Sequence, residues 1–186
     1  AGLQSVAKDE SVYVDLARQA LIGAGFGEVD QNGLDQLATG RKFGWNFQIE
    51  DGTFVFEGQT RREDVADQLY LFAAKLADPR WDAAPFERAK AAQRLSYDSF
   101  GGDPNGVLNR DLQWLLHDRD PRYRKADAAA LAQADAAGFQ QVWSRLLAQG
   151  PVEVDVFGDF DRATVLASLG QTFGAMPVRE AAPADT

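Results

Sequence analysis

Cysteine is missing from this chain of 186 residues, and histidine occurs once, as His117. The first absence excludes disulfides and thiolate metal sites, and leaves the redox compartment open. The second excludes a two-histidine zinc centre within the chain and leaves one ring for any serine–histidine dyad or histidine relay. No apolar run reaches the length of a membrane span, and no basic-then-apolar leader occupies the first ten residues. An initiator methionine is also absent, so the chain is expected to be excised from a longer polypeptide or processed. Basic clusters are scarce as well: 19 Lys and Arg stand against 28 Asp and Glu, for a net charge of -9 without an acidic block. That balance argues against attraction to nucleic-acid phosphates or anionic membrane, and neither is expected as a partner.

What is present suits one domain with one core. Val12, Tyr13, Leu16, Ala17, Ala20, Leu21 and Ala24 recur at helical spacing, and Gly23, Gly25 and Gly27 punctuate the end of that helix. A short helix is predicted over 33–38. Trp45, Phe47 and Ile49 then alternate with Asn46 and Gln48 before Asp51-Gly52 and the run 53–59, a hairpin in which Asp-Gly supplies the positive φ angles of a tight turn. Thr60 and Glu63 have the spacing of a capping box. The helix behind them carries Val65, Leu69, Phe72 and Leu76 on one face and stops at Pro79. Further helices are predicted over about 85–99, ending at Gly101-Gly102, then around Leu108, Leu112 and Leu115, and around Phe139, Val142, Trp143 and Leu146. Val152, Val154 and Val156 alternate with Glu153 and Asp155 as a strand. A turn 158–161 and a helix with Val165, Leu166, Leu169 and Phe173 complete the pattern. Strands with one polar face imply helices on one side of the sheet. The fold class is therefore α+β: a two-layer domain, mainly antiparallel sheet with helices packed on one face, over residues 1–178. Residues 179–186, with Pro183 among alanines, read as a linker or tail.

The chemistry-bearing residues are few. His117 suits the C-terminus of a helix, where imidazolium is favoured by the dipole, better than a ligand position. Asp159 and Asp161 have Asp-x-Asp spacing that suits a hard cation such as magnesium. Asp161 as an N-cap, with Gly158 permitting the turn, is the favoured alternative. The glycines at 23–27 lack a phosphate-loop pattern. Arg119, Arg122, Arg124 and Lys125 make a locally basic stretch that suits a peptide carboxylate, or simply a solvated loop. Trp45, Trp81, Trp114 and Trp143 fall in four separate elements, as core and edge residues do.

The run 152–161, Val-Glu-Val-Asp-Val-Phe-Gly-Asp-Phe-Asp, followed by a helix and the close Phe173-Gly174, Pro177 and Arg179, resembles the end of a repeat of the insulinase (pitrilysin, inverted zincin) zinc metallopeptidases. The order of upstream elements, with Asp120-Pro121-Arg122-Tyr123 in a loop before the next helix, agrees over Val12 to Arg179. The resemblance implies a clam-shaped peptidase built of repeated α/β domains, with zinc in one of them. In that domain the first helix carries His-x-x-Glu-His and a later helix a further glutamate. The matching stretches here are Arg18-Gln19-Ala20-Leu21-Ile22 and Ala89-Lys90-Ala91-Ala92-Gln93-Arg94-Leu95, which hold none of those ligands. The arginine and tyrosine clamp of the family is also not found. No catalytic, cofactor-binding or metal residue is therefore assigned, and zinc is expected only in a separate catalytic domain.

The family's opening strands lack a counterpart ahead of Val12, which would leave sheet edges unpaired. The resemblance thus implies a non-catalytic domain that encloses substrate, with sister domains of the same polypeptide as partners. Its open face would hold Asn46, Gln48, Glu153 and Asp155. The alternative is a separate non-catalytic subunit or peptide-binding module joined to an active peptidase; an autonomous enzyme using Asp159 and Asp161 is a third reading. Peptide substrate is a further expected partner, and a periplasmic location is implied if the source is bacterial.

Overall fold

The computed structural model describes residues 1–181, and the remainder of the expected tail, 182–186, lies outside the described residues. At its centre is helix α1 (Ser11–Gly23), whose Leu16, Ala17, Ala20 and Leu21 are all buried. Small residues on that face let α4 (Ala83–Ser99) approach through Phe86 and Ala89. Helix α7 (Ala136–Ala148) contributes Phe139, Val142, Trp143, Leu146 and Leu147 at a 3–4 residue spacing that keeps them on one buried face. Trp143 is fully buried, and its Nε1 donates to the Tyr13 carbonyl at 3.0 Å, satisfying the one polar atom it brings inside.

The hairpin packs on this helical core. Strands β1 (Asn46–Ile49) and β2 (Phe54–Glu57) pair antiparallel in the register Asn46↔Glu57, Phe47↔Phe56, Gln48↔Val55 and Ile49↔Phe54. With a period of two, Phe47, Ile49, Phe54 and Phe56 face the core, where Phe47 meets Trp143 edge-on at 5.5 Å between ring centroids. Asn46, Gln48, Val55 and Glu57 share the other face. The hairpin is as expected, but its turn works differently. Neither Asp51 nor Gly52 has a positive φ. Glu50 N–H instead donates to the Thr53 carbonyl, and the N-terminal segment docks on the turn through Leu3 and Gln4 N–H bonds to the carbonyls of Glu50 and Asp51. Gly2 permits that docking, because a Cβ there would lie 2.2 Å from Thr53 N.

Three further expectations are corrected. The sheet is not the main layer: the described chain is mostly helical around two strands. The third strand, expected at 152–156, is not formed: among the described residues, 151–157 make no backbone hydrogen bond, and a strand exists only through its ladder. The alternation that signalled it survives as half-buried Val154 and Val156 between exposed Glu153 and Asp155. The capping box at Thr60 and Glu63 does not form. Thr60 Oγ1 donates instead to the Lys42 carbonyl, and α3 (Val65–Ala77) starts after a 3₁₀ turn (Arg62–Asp64).

Helices α2 (Gln31–Leu37), α5 (Pro104–Leu116), α6 (Ala128–Gln133) and α8 (Arg162–Gln171) complete the order. Helix α6 carries no apolar period and was not expected. Aspartates Asp30, Asp103, Asp127, Asp135 and Asp161 each accept a backbone N–H from the first turn of the helix that follows. Where the tail was expected to begin, Arg179 donates to the carbonyls of Leu147, Gln149 and Gly150, anchoring it to the end of α7.

Candidate functional site

The open face of the hairpin is the polar surface that the fold presents. Asn46 Nδ2 and Gln48 Nε2 both donate to the same oxygen of Glu57, Asn46 at 2.8 Å. Those two amides, and after them the Arg18 guanidinium, hold the Glu57 carboxyl below its ordinary value. Arg18 lies on the exposed side of α1, where its charge acts on Glu57, while the Asn46 and Gln48 amides are held by that carboxylate. Asn46 and Gln48 are thus brought together as expected. Glu153 and Asp155 are exposed on the separate unpaired stretch.

The α1 positions that the sequence resemblance sets against a zinc-binding His-x-x-Glu-His are Arg18, Leu21 and Ile22: a guanidinium with no lone pair to give, and two hydrocarbons. Leu21 is buried, and the Ile22 carbonyl accepts Trp45 Nε1 at 3.1 Å. In the second stretch Ala89 is buried in the core, while Lys90 Nζ donates to the Ala134 carbonyl at 2.6 Å. Among the described residues no group of three or more His, Cys, Asp or Glu stands in a metal-holding arrangement.

The other candidates are occupied locally. His117 is the C-cap residue of α5; its Nδ1 lies 2.8 Å from the Gln113 carbonyl, so that nitrogen donates, and its ring stacks on Tyr123 at 3.6 Å. Tyr123 in turn donates to Asp51 at 2.7 Å, and burial together with that carboxylate pushes its phenol up to about 12. Asp161 caps α8 through Thr164 N–H at 2.8 Å. Asp159 lies across from Arg62, with both carboxylate oxygens 3.1 Å from one guanidinium nitrogen. In the basic loop, Arg122 chelates Asp120, whose carboxyl it holds down at about 2, and also reaches the Gln4 carbonyl. Arg119 and Arg124 lie over the Trp114 ring, and Lys125 pairs with Asp15. An open pocket of about 470 Å³ adjoins the start of the unpaired stretch, lined by Val152, Phe173, Met176 and Arg179 among others.

The sequence reading missed the buried polar side of α3. Lys75 is 4% exposed; its Nζ donates to the Ala24 carbonyl at 2.5 Å and sits 4.1 Å from the Trp45 ring centroid. Asp64 accepts Lys42 N–H at 2.9 Å and Arg61 Nε at 2.7 Å, and Gln68 accepts Gly44 N–H at 2.8 Å. These three side chains fasten the end of α1 and the approach to β1. The signal was available: Gln68 and Lys75 fall at helical spacing with Val65, Leu69, Phe72 and Leu76, on the face already read as buried.

The structure is similar to that of the ferredoxin protease FusC in complex with Arabidopsis ferredoxin, with a TM-score of 0.72 and 15% identity over 92% of this chain. The two share a fold. A conserved protein from Enterococcus faecalis is similar at a TM-score of 0.70 and 17% identity over 94% of the chain. The chain spans 19% of FusC and 45% of the Enterococcus protein. No family model matches the sequence, and no curated protein matches it.

Proposed function

We propose that this chain is a non-catalytic α/β unit of an insulinase-type zinc metallopeptidase, packing against sister units and walling a space that confines peptide substrate. The observation that carries the reading is the chemistry of α1. The helix that would hold the metal in an active unit of that type runs beside the polar hairpin face, yet offers Arg18, Leu21 and Ile22. The shared fold with a protease of which it spans only 19% supports a role as one unit among several. The Asn46, Gln48 and Glu57 network, with Arg18 near it, gives such a wall polar groups for an extended peptide, and none of them is a nucleophile activated by a neighbouring base.

Incubation of the chain with a fluorogenic peptide library, with and without a chelator, tests the proposal. The expected result is no cleavage above buffer. Chelator-sensitive cleavage that co-purifies with the chain would sink it.

A further inference from the structure

Three dipeptides carry the chemistry of succinimide formation, in which a backbone nitrogen attacks the side-chain carbonyl carbon of the Asn or Asp before it: Asn32-Gly33, Asp51-Gly52 and Asn105-Gly106. Glycine favours the step because no Cβ shields its nitrogen. The fold treats the three differently. Asn32 and Asn105 lie in the first turns of α2 and α5, where helical ψ angles hold the next nitrogen away from the side-chain carbon. Gly33 N–H donates to Asp30 Oδ1 at 2.9 Å and Gly106 N–H to Asp103 Oδ1 at 3.0 Å, so both nitrogens are engaged by N-caps. Asp51 and Gly52 lie in the hairpin turn, outside both strands, and both are exposed. Gly52 N–H makes no backbone hydrogen bond among the described residues. The N-terminal segment holds this turn by the carbonyls of Glu50 and Asp51, which leaves the attacking nitrogen unengaged.

We propose that Asp51-Gly52 is a self-modification site at which the chain isomerises to isoaspartate, and that the change releases the N-terminal segment. The Gly52 nitrogen bonds to Asp51 Cγ while the C–OH bond of the protonated carboxyl breaks, and the hydroxyl leaves as water with the amide proton. Water then opens the ring. Attack at Cγ restores aspartate; attack at the Asp51 backbone carbonyl carbon breaks its bond to Gly52 and leaves the chain running through Cγ. The Tyr123 hydroxyl, 2.7 Å from Asp51 Oδ1, favours the ionised carboxylate, which slows the step without engaging the nitrogen. The isomer has an extra methylene in its backbone and a free carboxylate where the Asp51 carbonyl stood. That carbonyl accepts Gln4 N–H at 3.0 Å, and the Glu50 carbonyl before it accepts Leu3 N–H at 2.8 Å. Gly2 lies so close to the turn that a Cβ on it would stand 2.6 Å from Asp51 O, and docking that tight does not absorb a lengthened backbone. The site depends on neither a partner nor the catalytic status of the unit.

Ageing the purified chain for weeks at neutral pH and physiological temperature tests it, with isoaspartate located by peptide mapping and counted by labelled methyl transfer from an isoaspartyl methyltransferase. The expected result is isoaspartate at Asp51 at least several-fold ahead of that at Asn32 and Asn105, with amide-exchange protection lost at Leu3 and Gln4 in the aged fraction. In urea the order should reverse, because asparagine loses ammonia more readily than aspartate loses water once the helices are gone. Gly52→Ala should suppress the modification and keep the fold, since Gly52 has no positive φ and a Cβ there would meet nothing within 4 Å. No isoaspartate at Asp51, faster formation at Asn32 or Asn105 in the folded chain, undiminished formation in Gly52→Ala, or an aged fraction that keeps Leu3 and Gln4 protected would each overturn the proposal.

Discussion

Replacing Lys75 by methionine tests how the helical core is fastened. Burial pushes the ammonium of Lys75 down to about 7, from 10.5 for a free lysine. In the unfolded chain the side chain keeps its proton to roughly pH 10.4. Between those two values the unfolded state binds the extra proton, so stability rises with pH across that window. Below about pH 7 both states are charged and the cost of burial is full and constant; above roughly pH 10.4 both are neutral and it vanishes. At about 1.4 kcal/mol per unit the swing approaches roughly 5 kcal/mol. About 4 kcal/mol of it falls between about pH 6 and about pH 10. Lys75→Met removes the titration and strands the Ala24 carbonyl, at a pH-independent cost of about 1–3 kcal/mol. Urea unfolding of both proteins from about pH 6 to about pH 10 isolates the effect, since other titrations cancel in the difference. Wild type should gain on the variant by about 4 kcal/mol over that range. A difference that stays flat would refute the assignment of a buried, depressed lysine.

Trp143→Ala should cost about 3–5 kcal/mol in urea unfolding, because the ring is fully buried between α7 and the hairpin and its loss leaves the Tyr13 carbonyl unpaired. Asp135→Ala should cost about 1 kcal/mol through loss of the α7 N-cap to Gly138 N–H. Asp159→Asn should leave thermal stability unchanged, since that carboxylate and Arg62 are both mostly solvated. Amide exchange at 152–157 should be fast while that of 142–147 in α7 is protected. Glu153→Pro should shift stability by less than about 0.5 kcal/mol, because its N–H bonds no carbonyl among the described residues.

Legibility followed periodicity. Helices α1, α3, α4, α7 and α8 and the hairpin could be read because each carries an apolar period: Leu16 and Leu21 in α1, or Phe47 against Asn46 and Gln48. The unpaired stretch 151–157 shows the limit of that signal. Alternation reports which side chains are half-buried, and the ladder depends on a neighbour that the local sequence does not encode. Helix α5 shows another limit, since its leucine stripe predicted the helix but not the side it turns to solvent. Helix α6 is six residues, three of the first four alanine, too short and too uniform to show a period. At the candidate site, Asn46 and Gln48 could be placed on one face by alternation. Glu57 joined them only through the register Asn46↔Glu57, and Arg18 only through the approach of α1. Lys75 escaped notice because a charged residue on a helix is ordinarily solvated, and here carbonyls at the end of α1 and an indole face replace the water.

The central claim is that α1 lacks a metal-holding face, and a calorimetric zinc titration of the purified chain tests it most directly. The account predicts no saturable heat at neutral pH, in wild type and in Arg18→Ala alike. A stoichiometric zinc site in the wild-type chain would contradict it.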